Sequence, residues 1–252
     1  MKLLDRLAEK LREATSVYGF TCDNCGAEVF EYPRRRFCDE CIAKLRFNDG
    51  KKCEKCGRST VADGICLNCK SDAPTFKNGV SPFVYRGSTA ALVNRIKNGN
   101  RRLSLFFGEE MAAAFLHRFP EIGRNGESIV IVPVPMTEES LAKRGYNQAE
   151  ELGVTVAKAL NAAGVAASVD KEILVKRREV KAQKQLHFFE RTQNVRGAYH
   201  VHKRTACKEK TILLVDDIMT TGATGNECAQ TLLNAGAKEV YFLVAASLPE
   251  LK

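Results

Sequence analysis

Residues 212–224 read ILLVDDIMTTGAT, and the order of residue types in that stretch suggests a binding chemistry. An apolar run expected as a buried strand ends in the adjacent carboxylates Asp216 and Asp217. After Ile218 and Met219, the residues Thr220, Thr221, Gly222, Ala223 and Thr224 open a stretch of helical periodicity. Backbone N–H groups at a helix start, with threonine hydroxyls beside them, make a ready site for a phosphate dianion. Gly222 lets the main chain come close to such an anion. Carboxylates do not bind phosphate, but they accept hydrogen bonds from vicinal hydroxyls next to it, so a ribose 5-phosphate suits both ends of the stretch. Neither GxxxxGK[ST] nor GxGxxG occurs, which removes the common nucleotide loops from competition.

A second chemistry lies upstream. Eight of the ten cysteines fall in four CxxC pairs, Cys22 with Cys25, Cys38 with Cys41, Cys53 with Cys56, and Cys66 with Cys69, separated by 12, 11 and 9 residues. Two thiolates three residues apart grip one tetrahedral ion, and two such pairs close its coordination with no position left for water. These are the marks of two structural metal sites. Thiolate softness selects zinc, with an iron–sulfur cluster as the alternative. A metal free energy of roughly 10–16 kcal/mol, as in small zinc peptides, would hold a segment that lacks a large core. The spacing leaves two connectivities open, one pairing neighbouring couples in sequence and one cross-braced. Cys207 and Cys228 stand alone and are expected as buried packing residues.

The formal charge is +9 with these thiols neutral. Two zinc tetrathiolates at −2 each would bring it to about +5. The remaining excess is local, because residues 171–210 hold 12 Lys or Arg against 4 Glu. Such an excess of one sign points to an anionic partner. Within it Lys181, Gln183, Lys184 and Arg191 are candidates for a flap over the phosphate site or for nucleic-acid contact. Phe188 and Phe189 beside them suit base stacking or packing of the flap. Around the cysteines, Arg34, Arg35 and Arg36 offer a smaller basic surface, against the simpler reading of a metal-stapled folding unit.

These residues need elements to position them. A chain of 252 residues, 44% hydrophobic and 27% charged, suits a globular protein of two domains. Residues 1–75 are expected as an N-terminal helix followed by the cysteine module, and residues 76–252 as a second domain entered through a connector at 76–82. Strand-like runs at 129–134, 173–175, 198–201, 211–216 and 240–246 alternate with helical stretches at 92–96, 104–119, 147–163 and 224–235, with Gly236 as a helix stop. That alternation predicts the α/β class, a mostly parallel sheet flanked by helices. The longest apolar run, 240–246, falls far short of the roughly 18 residues of a membrane span. The opening MKLLDRLAEKLREA has leucines at helical spacing with charges between them, unlike a signal peptide, so a cytoplasmic protein without membrane insertion is expected.

The stretch at 212–224 resembles the phosphoribosyl pyrophosphate (PRPP) signature of type I phosphoribosyltransferases, two acidic residues followed by a TTG-type loop. The resemblance implies that Asp216 and Asp217 hold the ribose hydroxyls, that Thr220 to Thr224 bind the 5-phosphate, and that magnesium rides on the pyrophosphate and ribose oxygens. It also implies that the segment after an early strand, including Met136 and Thr137, binds pyrophosphate, with Arg144 reaching the diphosphate or standing as a solvated charge at a helix start. Reaction through an oxocarbenium-like state needs positioning and charge stabilisation more than a nucleophile.

A second set of motifs is similar to the ComF family: RGYNQAEEL from Arg144, the run LVKRREVKAQKQLHFFERTQNVRGAY from Leu174, FVYRGSTAALVNRIK from Phe83, and the N-terminal CxxC pairs. Where that family usually has Thr three residues before the loop Gln, this chain has Val180 ahead of Gln183, and His187 stands where Ser is frequent. The family implies a role in natural competence and DNA uptake, with single-stranded DNA and a protein of the competence machinery as partners. Two functions are therefore expected to compete. One is a PRPP-binding protein that handles single-stranded DNA. The other is an active magnesium-dependent phosphoribosyltransferase of nucleotide or base salvage with no DNA role.

Overall fold

The computed structural model describes residues 20–31, 35–124, 126–177 and 195–250. The chain forms two compact units, residues 1–45 and 46–252. The expected helix at 1–14 and Arg34 lie outside the described residues, as do Val180, Lys181, Gln183, Lys184, His187, Phe188, Phe189 and Arg191.

The first unit is a small ribbon. Thr21 bridges Glu28, and between them the Cys22 carbonyl accepts from Gly26 N–H at 2.9 Å, with Gly26 at φ 77° closing the turn. Cys38 then caps the short helix α1 (Asp39–Ala43), which carries Cys41, around the wholly buried Phe37.

The second unit begins by repeating that pattern. Lys52 bridges Ser59, the Cys53 carbonyl accepts from Gly57 N–H at 2.9 Å, Gly57 sits at φ 73°, and Cys66 caps α2 (Leu67–Ser71), which carries Cys69. This second ribbon is continuous with the sheet that follows. A Cβ on Gly57 would lie 2.4 Å from the Gly79 carbonyl oxygen, and one on Gly79 would lie 2.5 Å from that of Cys56, so the two backbones touch. Asn48 donates to the carbonyls of Gly57 (2.8 Å) and Ser81 (2.9 Å), and Leu67 N–H donates to Glu250 Oε1 at 2.7 Å. The compact units thus divide ahead of the second ribbon, whereas the sequence places the boundary between residues 75 and 76.

The main sheet is parallel, in the order β1-β8-β7-β3-β4, with β2 also on β8. Its strands are β1 (Gly79–Val80), β2 (Phe83–Val84), β3 (Ile129–Pro133), β4 (Ala167–Val169), β7 (Thr211–Met219) and β8 (Glu239–Ser247). A separate antiparallel hairpin pairs β5 (Leu174–Lys176) with β6 (Tyr199–Val201). The helices are α3 (Gly87–Lys97), α4 (Leu103–Arg118), α5 (Glu138–Arg144), α6 (Gln148–Ala162), α7 (Arg204–Cys207) and α8 (Ala223–Asn234). β1 falls inside the segment expected as a connector, and neither β4 nor α5 is signalled by the alternation. Cys207 and Cys228 are wholly buried, as expected of packing residues.

The strand period of two sorts the core. Val130, Val132, Ile212, Leu214, Val240 and Phe242 face Cys228, Ala229 and Leu232 of α8, together with the second ribbon and the hairpin. The intervening residues face α3, α4 and α6, where Gly153 of α6 meets Ile131 and Pro133. α6, the longer of the two helices after β3, therefore covers one face, and α8, after β7, the other. In an open parallel sheet, such a reversal between neighbouring strands opens a crevice beyond their carboxyl ends, the usual place for a ligand. Among the described residues no helix is long and apolar enough to cross a membrane.

Candidate functional site

Asp216 and Asp217 lie at that crevice. β7 pairs with β3 only as far as Val215 opposite Pro133, followed by a bond from Val134 N–H to the Val215 carbonyl at 2.8 Å, yet with β8 it pairs on to Met219 opposite Ser247. On the β3 side, the ladder has ended when the two acids begin. Being adjacent on an extended strand, they project to opposite faces. Asp217 lies on the face of α3, its side chain 5% exposed, with Oδ2 3.2 Å from Lys97 Nζ. Oδ2 has no aligned hydrogen bond, so the pairing is Coulombic. Asp216 lies on the α8 face and accepts the N–H of Asp217 at 2.9 Å. Burial, reinforced by the neighbouring charge of Asp217, pushes its carboxyl well above the ordinary value of 3.8.

The phosphate turn follows directly. Gly222, at φ 94°, caps α8, Thr221 Oγ1 accepts from Ala223 N–H at 3.2 Å, and Asn226 N–H returns to the Gly222 carbonyl at 2.9 Å. A Cβ on Gly225 would lie 2.4 Å from Phe242 Cε1, so only glycine lets the first turn of α8 lie on β8. Behind the turn sits Arg58 of the second ribbon, 3% exposed. It donates to the carbonyls of Thr220 (3.0 Å) and Thr221 (3.3 Å), and its Nε donates to Cys56 Sγ at 3.3 Å.

Across the crevice, the segment after β3 runs into the short helix α5, which the sequence did not show. Thr137 is buried and caps α5 by accepting from Ser140 N–H at 3.3 Å. Met136 lines an open cleft that is shared with Leu174 and Lys176 of the hairpin and with His202. Asn147 caps α6, accepting from Ala149 N–H at 3.0 Å, and ties it to β3 by donating to the Val134 carbonyl at 3.0 Å. Arg144 belongs to the last turn of α5 rather than to a helix start, and it donates to Gln148 Oε1 at 2.7 Å.

The cysteines gather in the sequential arrangement. Cys22, Cys25, Cys38 and Cys41 form one set and Cys53, Cys56, Cys66 and Cys69 the other, with the sulfurs in each set within 4.8 Å of one another. All ten cysteines are free thiols. Sulfurs at the corners of a tetrahedron around zinc, each about 2.3 Å from the metal, stand about 3.8 Å apart. The Cys56 to Cys66 distance is 3.8 Å and the Cys25 to Cys38 distance 3.6 Å. Cys53 Sγ also accepts the N–H groups of Cys56 (3.4 Å) and Cys66 (3.3 Å), contacts that favour a thiolate. Both sets therefore fit zinc. In the first unit Arg35 pairs with Asp39, and Arg36 reaches the buried Asp23 at 3.8 Å.

Arg58 and Lys97 were not legible as site residues. Arg58 had only its place next to Gly57 to mark it, and Lys97 closes the motif FVYRGSTAALVNRIK with nothing to pair it with the acids.

Comparison with known proteins agrees with this geometry. Residues 121–251, more than half of the chain, match the phosphoribosyl transferase domain family, and residues 14–70 match the double zinc ribbon domain family. Competence protein ComFC of Bacillus subtilis is 24% identical over 81% of this chain and 80% of its own length. Competence protein F of Haemophilus influenzae is 23% identical over 87% and 86%, and the DNA utilization protein YhgH of Escherichia coli is 25% identical over 81% and 86%. With a parallel sheet carrying the acidic pair and threonine turn, and two thiol sets ahead of it, the chain belongs to the phosphoribosyl transferase domain family, with an N-terminal match to the double zinc ribbon and similarity to the ComFC, competence F and YhgH proteins.

Proposed function

We propose that the crevice between β3 and β7 binds PRPP with magnesium, and that the protein uses this site while handling single-stranded DNA during DNA uptake. The observation that carries the first part is the threonine turn at the start of α8, set beside two carboxylates where the β3–β7 ladder ends. The turn takes the 5-phosphate on amides and hydroxyls of Thr220, Thr221, Gly222, Ala223 and Thr224, and Asp216 and Asp217 accept from the ribose hydroxyls. The segment at Met136 and Thr137 meets the pyrophosphate, with Arg144 at its rim. Among the described residues the only clusters of metal-ligating side chains are the two thiol sets, which suits a magnesium held chiefly by substrate oxygens.

The DNA role is supported by the names of the relatives and by the cationic excess of residues 171–210, where Lys181, Lys184 and Arg191 would track a phosphate backbone next to the aromatic pair at 188 and 189. A protein of the competence machinery would deliver the strand. A second reading, turnover onto an acceptor base, is favoured by the cleft between Met136 and the hairpin, which has room for a planar ring. Calorimetric titration with PRPP and magnesium tests the first part, and a product assay with free bases separates the two readings. Binding without turnover favours the DNA reading, and release of pyrophosphate in the presence of one base favours the second.

A further inference from the structure

Arg58 is almost wholly buried, and among the described residues no carboxylate pairs with it. A guanidinium taken out of water needs a counter-charge and acceptors for its donors. The acceptors are Cys56 Sγ and the carbonyls of Thr220 and Thr221. The counter-charge comes from the thiolates, since four of them around one zinc ion carry a net −2.

The two carbonyls matter because a peptide unit is planar and trans, so its C=O and N–H point in opposite directions. The Thr220 carbonyl shares a peptide unit with the N–H of Thr221, and the Thr221 carbonyl shares one with the N–H of Gly222. Drawing both carbonyls toward the ribbon turns both amides away from it. The ribbon that carries Arg58 is itself fixed to the sheet by the backbone contact of Gly57 with Gly79, so the pull has a rigid anchor.

We propose that Arg58 is a positioning residue: anchored in the second ribbon by its bond to Cys56 Sγ, it holds the Thr220 and Thr221 carbonyls so that the amides of the phosphate turn face the ligand. The second ribbon is then part of the PRPP site, and loss of its metal, by chelation or thiol oxidation, disorders the turn. This rests on the reading that the turn takes the phosphate of PRPP, but its first consequence does not need the ligand.

The test uses the full zinc-loaded chain and its Arg58→Met and Arg58→Lys variants, with Arg118→Met as control because Arg118 holds the ribbon at the Glu54 carbonyl without touching the turn. Amide hydrogen exchange of residues 220–224 is expected to quicken about tenfold or more in Arg58→Met, less in Arg58→Lys, and not in Arg118→Met. PRPP dissociation constants are expected to weaken in the same order. Stepwise chelation of the wild-type protein is a second route should the variants fold poorly. Exchange at 220–224 should quicken as the second zinc leaves and recover when zinc is returned. Faster exchange in a protein whose wild type does not bind PRPP upholds the brace and removes the PRPP reading. Unchanged exchange in Arg58→Met and after chelation, or PRPP affinity within twofold of wild type, overturns the brace.

Discussion

Lys97 Nζ stands 3.2 Å from Asp217 Oδ2, joining the end of α3 to the strand that carries the acidic pair. The carboxylate is enclosed and the lysine about a third exposed, so the pair is worth less than a fully buried one, and Asp217 depends on it more than Lys97 does. Lys97→Met leaves a buried carboxylate without a cation and is expected to destabilise the fold by about 1–2 kcal/mol. Adding Asp217→Asn should recover most of that loss. Urea unfolding of the two single variants and the double variant measures the coupling, and additive effects would show that the contact carries no energy.

Asp216 predicts a trade between stability and binding. Desolvation in its half-buried position, reinforced by the charge of Asp217, pushes its carboxyl above the ordinary 3.8. An acid whose folded pKa is raised contributes stability that is complete below the unfolded pKa and is lost as pH rises through the folded value. Asp216→Asn should therefore melt higher than wild type at pH 8, with the gap closing toward pH 4, while it loses affinity for PRPP. A variant that melts lower than wild type at pH 8 would show that the carboxylate is well solvated or paired.

Close contact between Gly225 and Phe242 sets the start of α8 on the sheet. Gly225→Ala is expected to cost about 1–3 kcal/mol through overpacking and to weaken phosphate binding by shifting the turn. Calorimetry should show a melting temperature several degrees lower, restored in part by adding Phe242→Leu. No loss in the single variant would mean that the helix start is loosely held.

The basic segment gives a prediction about salt. Lys181→Ala with Lys184→Ala should weaken single-stranded DNA binding and reduce the slope of log affinity against log salt by about 1.4, two phosphate contacts at roughly 0.7 each. An unchanged slope would move the DNA contact elsewhere on the surface.

How far the sequence carried this reading differs from residue to residue. β7 was legible because a buried parallel strand is an unbroken apolar run, and the acids, Gly222 and threonines followed in an order with one chemical sense. β8 and the helices α4, α6 and α8 appeared within a residue or two of their expected ends. β4 was missed because its three residues, Ala167–Val169, form only an edge, half-buried and with no apolar run to mark it. α5 was missed because its seven residues bury no side chain and so leave no periodic signal. The division of the acids between two faces follows from strand geometry, but which face held a lysine depended on the packing of α3. Arg58 was hidden for a different reason. Its partners are main-chain carbonyls 162 and 163 residues away, and an acceptor that every residue type carries leaves no trace in sequence.

The central claim is that the threonine turn and the acidic pair together recognise a phosphorylated ribose, and ligand-induced stabilisation with PRPP and magnesium tests it most directly. At a ligand concentration a hundredfold above the dissociation constant, binding should add about 2.7 kcal/mol and raise the melting temperature by roughly 5–10 °C. The shift should disappear in the double variant Asp216→Asn, Asp217→Asn. A wild-type protein whose melting temperature does not move at millimolar PRPP with magnesium would contradict the account.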